Sequence, residues 1–290
     1  MKILVTGATG FTGQRVLPLL MGKGEICCLL RPNSDVRKIE EFGYEIAFGD
    51  LRDLDSLTKA MFGYDALINI ASIGFGYAPG IVKTAEKAGI KRAIFISTTA
   101  LFTQLDVTSK SVRQKAEDCI KASKLEWTIL RPTMIYGSPG DRNMIRLIGY
   151  IDRFPVIPIF GKGNYLQQPV YINDVAKSIV DVFFNDKTIQ NVFNISGKFP
   201  HTYNEIIDFT ARALRKKIIK IHLPFKLSLY AMWLYGKMSS KPLITCEQIM
   251  RLNEHKNFDY SYAKEVFGYN PSSFEEGISK EVTLYRQIRD

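Results

Sequence analysis

Three glycines near the amino terminus constrain the fold of this chain more than any other feature. Gly7, Gly10 and Gly13 are evenly spaced, and the apolar residues 3–5 before them predict a buried strand. A periodic apolar pattern at residues 11–20 predicts a helix after them. In such a unit the first glycine permits the tight turn, the second admits a pyrophosphate, and the third lets the helix pack on the strand. The spacing therefore predicts an α/β fold that binds a dinucleotide phosphate at this turn.

Strand and helix patterns alternate from these glycines to residue 133. Near-continuous apolar runs predict strands at residues 25–30, 44–48, 65–71, 92–97 and 127–130. Amphipathic patterns predict helices at residues 35–42, 54–62, 78–88 and 109–123. This alternation is typical of a parallel sheet covered on both faces, and right-handed crossovers make such a sheet doubly wound.

Beyond residue 131 prolines and glycines interrupt this alternation, and the pattern becomes mostly helical. Helices are predicted at residues 142–151, 175–184, 203–214, 225–238, 246–252 and 274–288, with one more strand at residues 191–195. We therefore predict a Rossmann-type doubly wound parallel sheet, an α/β domain of residues 1–133 plus 171–197. Residues 134–170 plus 198–290 would form a smaller, mostly helical C-terminal substrate lobe.

The composition sets bounds on the class of protein. With 290 residues, 46% of them hydrophobic, the chain can bury a large core without disulfides or metals. Its four cysteines and three histidines show no ligand or redox spacing, so no metal site is predicted. Because residue 3 already lies in the first strand, we expect no secretion signal and a cytoplasmic location.

The formal net charge of +10 indicates an anionic partner. We recognise no nucleic-acid-binding module, so we expect no nucleic acid and favour a small anionic substrate. The densest basic cluster, residues 212–226, precedes the apolar residues 227–234, which are too few to span a bilayer. The pattern predicts either an interfacial helix with peripheral membrane contact, or a core helix with a solvated basic edge. Because charge runs are usually solvated faces, we favour the core helix.

Seven short motifs carry a family resemblance. They are TGATGFTG at residues 6–13, GDLRD at 49–53, IAS at 70–72, FISTT at 95–99, LRPT at 130–133, QPVYINDVA at 168–176 and FGYNP at 267–271. In this order the chain resembles the extended and atypical short-chain dehydrogenase/reductases, in particular the NAD(P)-dependent nucleoside-diphosphate-sugar epimerases and dehydratases. The resemblance covers nearly the whole chain, and many members of this family form homodimers.

The resemblance implies where a nicotinamide dinucleotide binds. Arg31 follows the second predicted strand, and the next acidic residue is Asp35. A guanidinium there suits a ribose 2′-phosphate, which favours NADP over NAD, although arginine can also stack on adenine. The implied cofactor-binding residues are Gly7, Thr9, Gly10, Phe11, Thr12, Gly13, Arg31, Asp50, Leu51, Ala71, Lys115, Pro132 and Thr133.

The helix predicted at residues 109–123 departs from the family pattern. Redox-active members have Tyr-x-x-x-Lys there, in which the lysine holds the nicotinamide ribose and lowers the pKa of the tyrosine. Lys115 fits the lysine position, but Ser111 stands where the tyrosine is expected, and a serine needs a separate base to lose its proton. The resemblance implies that Thr99 orients a substrate hydroxyl. The proton would be handled by Ser111 through water or by Tyr136.

A further Tyr-x-x-x-Lys occurs near the C terminus. Tyr260 and Lys264 are far from the fifth strand in sequence, so we interpret the pair as packing residues outside the motif's structural context.

The predicted substrate lobe carries polar side chains where nucleotide-sugar relatives contact a diphosphate. Arg142 and Asn143 open a helix, Arg146 lies one turn further along, and Gln168 precedes a strand that closes the cleft. Each of them also suits a cap or surface position. We predict these four as candidate substrate-binding residues.

Two functions from different classes remain open. In the first, the chain is an oxidoreductase or epimerase that uses NADP or NAD on a nucleotide-sugar or related substrate. In the second, it is a non-catalytic NADP(H)-binding module, as in atypical relatives that regulate by redox sensing or belong to respiratory complex I. The missing tyrosine favours the module, and the well-formed sugar-lobe pattern favours the enzyme.

Overall fold

The computed structural model describes residues 1–105, 107–141, 143–238 and 245–289. It divides the chain into two compact units. Unit 1 contains Met1–Thr133, Ile172–Ile195 and Asp259–Asn270. Unit 2 contains the described residues of Met134–Tyr171, Ser196–Phe258 and Pro271–Asp290.

Strands and helices alternate in chain order. The strands are β1 (Lys2–Thr6), β2 (Glu25–Leu30), β3 (Glu45–Phe48), β4 (Ala66–Asn69), β5 (Arg92–Ile96), β6 (Glu126–Pro132), β7 (Ile135–Tyr136), β8 (Val156–Phe160), β9 (Leu166–Gln167), β10 (Val170–Tyr171), β11 (Asn191–Ile195), β12 (His201–Thr202) and β13 (Ile219–Leu223). The α-helices are α1 (Gly13–Val16), α2 (Arg37–Glu40), α3 (Leu54–Met61), α4 (Ala78–Lys87), α5 (Thr108–Lys121), α6 (Met144–Arg153), α7 (Ile172–Phe183), α8 (Tyr203–Leu214), α9 (Phe225–Met238), α10 (Cys246–Leu252), α11 (Ser261–Phe267) and α12 (Phe274–Arg289).

Unit 1 is built on one parallel sheet of seven strands. Their order is β11-β6-β5-β4-β1-β2-β3, so the direction of winding reverses between β1 and β4. This is the switch point at which doubly wound sheets bind ligands. Helices α3, α4 and α5 cover one face, where Leu57, Ile81 and Ile120 join the buried apolar core. Helices α1 and α7 pack together, and α7 also contacts β5 and β6. The predicted Rossmann-type sheet is therefore confirmed.

The segment Asp259–Asn270 returns to unit 1 after a long excursion of the chain. It packs on the edge strand β11, where the Phe193 ring lies 5.1 Å from the rings of both Tyr262 and Phe267. The hydroxyl of Tyr262 also donates a hydrogen bond to Asn191. Aromatic burial therefore groups residues 259–270 with unit 1, whereas the sequence predicted them in the second lobe.

Unit 2 combines α6, α8, α9, α10 and α12 with short strand pairs. Helices α6, α8 and α12 pack against one another, and strand β13 pairs in parallel with β8. Helix α12 lies close to Tyr136 at Gly277, where a Cβ atom would overlap the phenol ring. Strand β13 lies in a stretch for which the sequence predicted only helices. Its Ile-x-Ile-x-Leu alternation was the missed signal.

Two helices differ from their predictions. The helix predicted at residues 11–20 is the four-residue α1 followed by the 3-10 turn Leu17–Leu20, because Pro18 has no N–H to continue the α-helical hydrogen bonds. Helix α9 is not the core helix that the sequence favoured. Leu227 is 63% exposed and Trp233 is 49% exposed, and Ser228 is the most buried residue of the helix.

Candidate dinucleotide site

The glycine loop after β1 has no room for side chains at its key positions. Gly7 has a φ of +72°, and a Cβ there would lie 2.7 Å from the backbone nitrogen of Ala71. A Cβ at Gly13 would overlap the carbonyl oxygens of Gly7 and Ala8. The Gly10 N–H donates to the Gly7 carbonyl oxygen at 3.0 Å and closes the turn. The geometry therefore supplies the close backbone approach that a pyrophosphate needs.

A buried hydrogen-bond network fixes this loop against the end of β4. The Thr6 hydroxyl donates to the side chain of Asn69 at 2.8 Å and accepts from the Ala71 N–H at 3.4 Å. The Asn69 amide donates in turn to the Ala71 carbonyl oxygen at 2.9 Å. The ends of β1 and β4 are thereby held in register at the switch point. Thr9 and Phe11 of the loop are half-buried, and Thr12 is buried before α1.

Charged side chains lie at the ends of β2 and β3. Arg31 is exposed, and Asp50 accepts hydrogen bonds from the Arg52 guanidinium, with Nη2 to Oδ2 at 2.6 Å. Hydrogen bonds from the Arg52 side chain and backbone, with a smaller effect of the Arg31 charge, lower the pKa of Asp50 to about 2. Among the described carboxylates, none forms a direct ion pair with Arg31, so its guanidinium can accept another anion. Leu51 packs beside the core of unit 1.

Helix α5 is fixed to the ends of β5 and β6 by one buried carboxylate. Glu117 accepts a hydrogen bond from the Ser97 hydroxyl at 2.6 Å and two from Arg131, one of them from Nε at 2.9 Å. Burial alone would raise the pKa of Glu117, but the bonds from Arg131 and Ser97 outweigh burial and hold the pKa below its usual value. This network sets which face of α5 points towards the sheet.

That face does not carry the two residues that the sequence selected. Ser111 and Lys115 are exposed, and the Ser111 hydroxyl donates to the backbone carbonyl of Thr108 at 2.9 Å. Residues that are three or four positions apart share one face of a helix. The residues one turn before Ala116 and Glu117 therefore face inwards instead. Ser111 and Lys115 therefore lie on the solvent side of α5.

The inward positions with the same spacing of four are Ser109 and Arg113. Both are half-buried, and Arg113 Nη1 donates to the Ser109 hydroxyl at 3.1 Å. The Arg113 side chain runs against the turn after β4, where a Cβ on Gly74 would lie 3.1 Å from Nε. The Tyr-x-x-x-Lys pattern does not identify this pair, because residue 113 is an arginine and not a lysine. The buried register of Ala116, Glu117 and Ile120 was the signal that could have found it.

The remaining predicted residues of unit 1 lie at the ends of β5 and β6. The Thr99 hydroxyl is buried and donates to the Pro132 carbonyl oxygen at 3.4 Å. The Thr133 N–H donates to the Ile195 carbonyl oxygen at 3.0 Å. The glycine loop, Ala71, Thr99, Pro132 and Thr133 therefore all lie at the carboxyl ends of parallel strands.

The predicted residues of unit 2 have local structural partners. Tyr136 is fully buried, and its hydroxyl donates to the Phe274 carbonyl oxygen at 3.4 Å, which favours a packing role over proton transfer. The Gln168 amide donates to the Gly197 carbonyl oxygen at 2.7 Å, and its oxygen accepts from the Phe258 N–H at 2.8 Å. Asn143, which directly precedes α6, and Arg146 of α6 are exposed, and Arg142 lies outside the described residues.

Unit 2 also contains a cleft of its own. Its volume is about 730 Å³, and Lys162, His222, Phe225 and Asn253 are among the residues that line it. Across residues 1–105, 107–141, 143–238 and 245–289, no helix is both long and apolar enough to cross a membrane.

A parallel sheet with a glycine cradle at its switch point defines a Rossmann-type dinucleotide-binding protein. The chain belongs to the NAD(P)H-binding family, whose model matches residues 7–185.

Comparison with known proteins agrees with this assignment. The chain is 23% identical over 322 residues to N-acetyl-alpha-D-glucosaminyl-diphospho-ditrans,octacis-undecaprenol 4-epimerase of Escherichia coli O157:H7, covering 96% of this chain and 93% of the relative. It is 26% identical over 271 residues to mitochondrial NADH dehydrogenase (ubiquinone) 1 alpha subcomplex subunit 9 of Mus musculus, covering 86% and 71%. The solved UDP-glucose 4-epimerase of Thermotoga maritima with UDP-glucose has a TM-score of 0.77 at 18% identity and full coverage of both chains.

Proposed function

We propose that the chain binds NADP(H) at the carboxyl ends of β1, β2 and β4, and that the dinucleotide acts there as a structural or regulatory ligand. The observation that carries this proposal is the inward face of α5, which bears Ser109 and Arg113 in the spacing of four. Neither side chain supplies the tyrosine and lysine on which redox-active relatives depend.

The residues present fit the dinucleotide. The cradle of Gly7, Gly10 and Gly13 would hold the pyrophosphate, and Arg31 would pair with a ribose 2′-phosphate. Asp50 and Leu51 would flank the adenine, while Ala71, Pro132 and Thr133 would line the site further along the strand ends. Bound NADP(H) supplies hydride chemistry in proteins that turn it over.

The side chains of α5 argue against ordinary acid–base turnover. Arginine stays protonated throughout the physiological range, so Arg113 can bind an anion but cannot accept a proton. The Ser109 hydroxyl already accepts a hydrogen bond from that guanidinium, and serine needs an adjacent base to become reactive. Thr99 is likewise a positioning group without an acidic proton. The dinucleotide would therefore be held without the proton donor that hydride transfer requires.

Titration with NADPH and NADH tests the cofactor. We expect the Arg31→Ala substitution to weaken NADPH about 10–100-fold, the value of one charge-assisted contact, and to leave NADH unchanged. Arg37→Ala is the matched control, because Arg37 is a nearby exposed arginine already paired with Asp35 at 2.9 Å. Equal losses for both dinucleotides in Arg31→Ala would contradict the choice of NADP(H).

A catalytic role on a nucleotide-sugar or related substrate is the second candidate. The nearly full-length similarity to an epimerase favours it. Incubation with NADPH or NADP and a panel of nucleotide-sugars, followed by product analysis, separates the two functions. Tight NADPH binding with no turnover supports the module, whereas epimerised or reduced product establishes the enzyme.

A pair of variants locates the active face of α5. In Ser109→Tyr/Arg113→Lys we expect weak turnover to appear, because these positions face the strand ends. Ser111→Tyr, a tyrosine added to the exposed side of the same helix, is the control and should remain inactive. Turnover in Ser111→Tyr alone would show that the helix register assigned to the site is wrong.

A further inference from the structure

Strand β13 exposes its apolar side chains. Ile219, Ile221 and Leu223 alternate on one face and are exposed, the first by 63%. Lys220 points the other way and binds the carboxylate of Asp208 at 2.7 Å. A half-buried strand normally hides its apolar face and exposes its charges. The exposed row of β13 is therefore suited to an apolar environment outside the chain.

Helix α9 also exposes apolar side chains. Leu227, Tyr230, Trp233 and Leu234 fall three, four and seven positions apart, form one stripe and are all exposed. The opposite side carries the buried Ser228 among the half-buried Phe225, Leu229 and Met232, so α9 is apolar on both sides. The two exposed rows follow each other directly in the chain, and we call them together the β13–α9 surface: Ile219, Ile221, Leu223, Leu227, Tyr230, Trp233 and Leu234.

The stretch of chain that carries this surface is basic and contains no acidic residue. No aspartate or glutamate occurs between Asp208 and Glu247, whereas Arg215, Lys217, Lys226 and Lys237 are among the basic residues of that stretch. Lys226 and Lys237 stand at the two ends of the exposed stripe and are themselves exposed.

The aromatic residues of the stripe are arranged as at a membrane boundary. The Tyr230 and Trp233 rings stack with centroids 6.0 Å apart, and the Lys237 ammonium lies 3.8 Å above the Trp233 ring. Aromatic rings with an apolar body and a polar edge collect at the headgroup level of bilayers, and lysines extend past them to the phosphates.

We propose that the β13–α9 surface docks on the anionic face of a phospholipid bilayer, with α9 lying in the plane of the interface. An apolar stripe bordered by lysines and carrying tryptophan and tyrosine is what such a helix requires. At 14 residues α9 is too short to span a bilayer. A second copy of the chain would bring lysines against lysines, which disfavours self-association through this surface. The inference is independent of the proposed dinucleotide function.

Flotation of the full chain with lipid vesicles tests this proposal. We expect binding to vesicles of phosphatidylcholine with phosphatidylglycerol, little binding to phosphatidylcholine alone, and release at high salt. Lys226→Glu/Lys237→Glu should weaken binding at least about tenfold, and Leu227→Ser/Leu234→Ser should also weaken it. The controls are Lys83→Glu and Phe62→Ser, which change an exposed lysine and a 77% exposed phenylalanine in unit 1.

Tryptophan fluorescence reports the depth of contact. Lipids brominated on their acyl chains should quench Trp233, while Trp127, only 7% exposed in unit 1, stays unquenched as an internal reference. In Trp233→Phe the quenching should disappear while binding to anionic vesicles persists.

Two results would overturn the proposal. One is binding that the control variants reduce as much as the surface variants do. The other is a chain that ignores anionic vesicles and instead forms a concentration-dependent dimer that Leu227→Ser/Leu234→Ser abolishes, which would assign the surface to a second copy.

Discussion

At the scale of single residues, two carboxyl groups share the interior of unit 2. Asp141 accepts hydrogen bonds through Oδ1 from the N–H groups of Asn143 and Met144, at 2.7 and 2.9 Å, and so begins α6. Glu281 of α12 is fully buried close to Asp141. Burial first, and then the proximity of Asp141, raise the pKa of Glu281 to about 10. At neutral pH this shift favours the protonated form of Glu281.

This raised pKa predicts a pH dependence of stability. Below the ordinary glutamate pKa, Glu281 is protonated in both the folded and the unfolded chain, so it costs no stability. As the pH rises from there towards 10, Glu281 ionises in the unfolded chain and stays protonated in the folded chain. Stability should therefore fall across that window. Glu281→Gln removes this decline and should raise the unfolding free energy at pH 8 by about 1–3 kcal/mol. Urea unfolding at pH 5, 7 and 9 measures the free energy of unfolding of this variant and of the unmodified chain.

Glu275→Gln on the same helix is the control for this prediction. Glu275 is exposed and lies 3.8 Å from Arg212, so its replacement should leave the pH profile unchanged. Parallel profiles for Glu281→Gln and the unmodified chain would show that Glu281 is ionised in the folded state.

At the scale of elements, Glu117 decides how α5 sits on the sheet. We expect Glu117→Gln to cost about 3 kcal/mol of unfolding free energy. The Arg131 side chain is only 14% exposed, and in this variant its guanidinium loses its carboxylate partner. Lys121→Gln is the comparison, since Lys121 reaches the same carboxylate at 3.4 Å from a more exposed position and should cost under about 1 kcal/mol. Chemical denaturation measures both, and similar costs would contradict a central role for Arg131.

The elements also show where sequence reasoning succeeds. Apolar runs identified the strands of the large sheet because parallel strands are buried on both faces, and the spacing of Gly7, Gly10 and Gly13 identified the cradle. The orientation of α5 could not be predicted from a Tyr-x-x-x-Lys search, because the motif has no match there. It depends on the contacts that Glu117 makes with Ser97 and Arg131, which join residues distant in sequence.

Other elements needed information that the local pattern does not contain. The apolar residues of α9 suggest burial, and only the folded chain shows that their stripe faces outwards. Strand β13 pairs with β8 about 60 residues earlier, so its partner cannot be read from neighbouring residues.

At the scale of the whole molecule, unit 1 is assembled from three separate stretches of chain. The third stretch covers Phe193, so we expect Phe267→Ala to destabilise unit 1 by about 2 kcal/mol, less than a fully buried phenylalanine would. Hydrogen exchange read by mass spectrometry should show faster exchange at β11. Phe199→Ala, which removes a 57% exposed ring from unit 2, should leave β11 unaffected. Unchanged exchange at β11 in Phe267→Ala would contradict this role of the segment.

The late return of residues 259–270 to β11 has a consequence for synthesis. A ribosome makes β11 some 75 residues before it reaches Asn270, which takes roughly 4–15 s at ordinary rates of elongation. During that interval β11 lacks the residues that cover Phe193, so this ring is exposed on the nascent chain. Unit 1 therefore cannot be completed until residues 259–270 have been made, and we expect chaperones to bind the nascent chain during this interval.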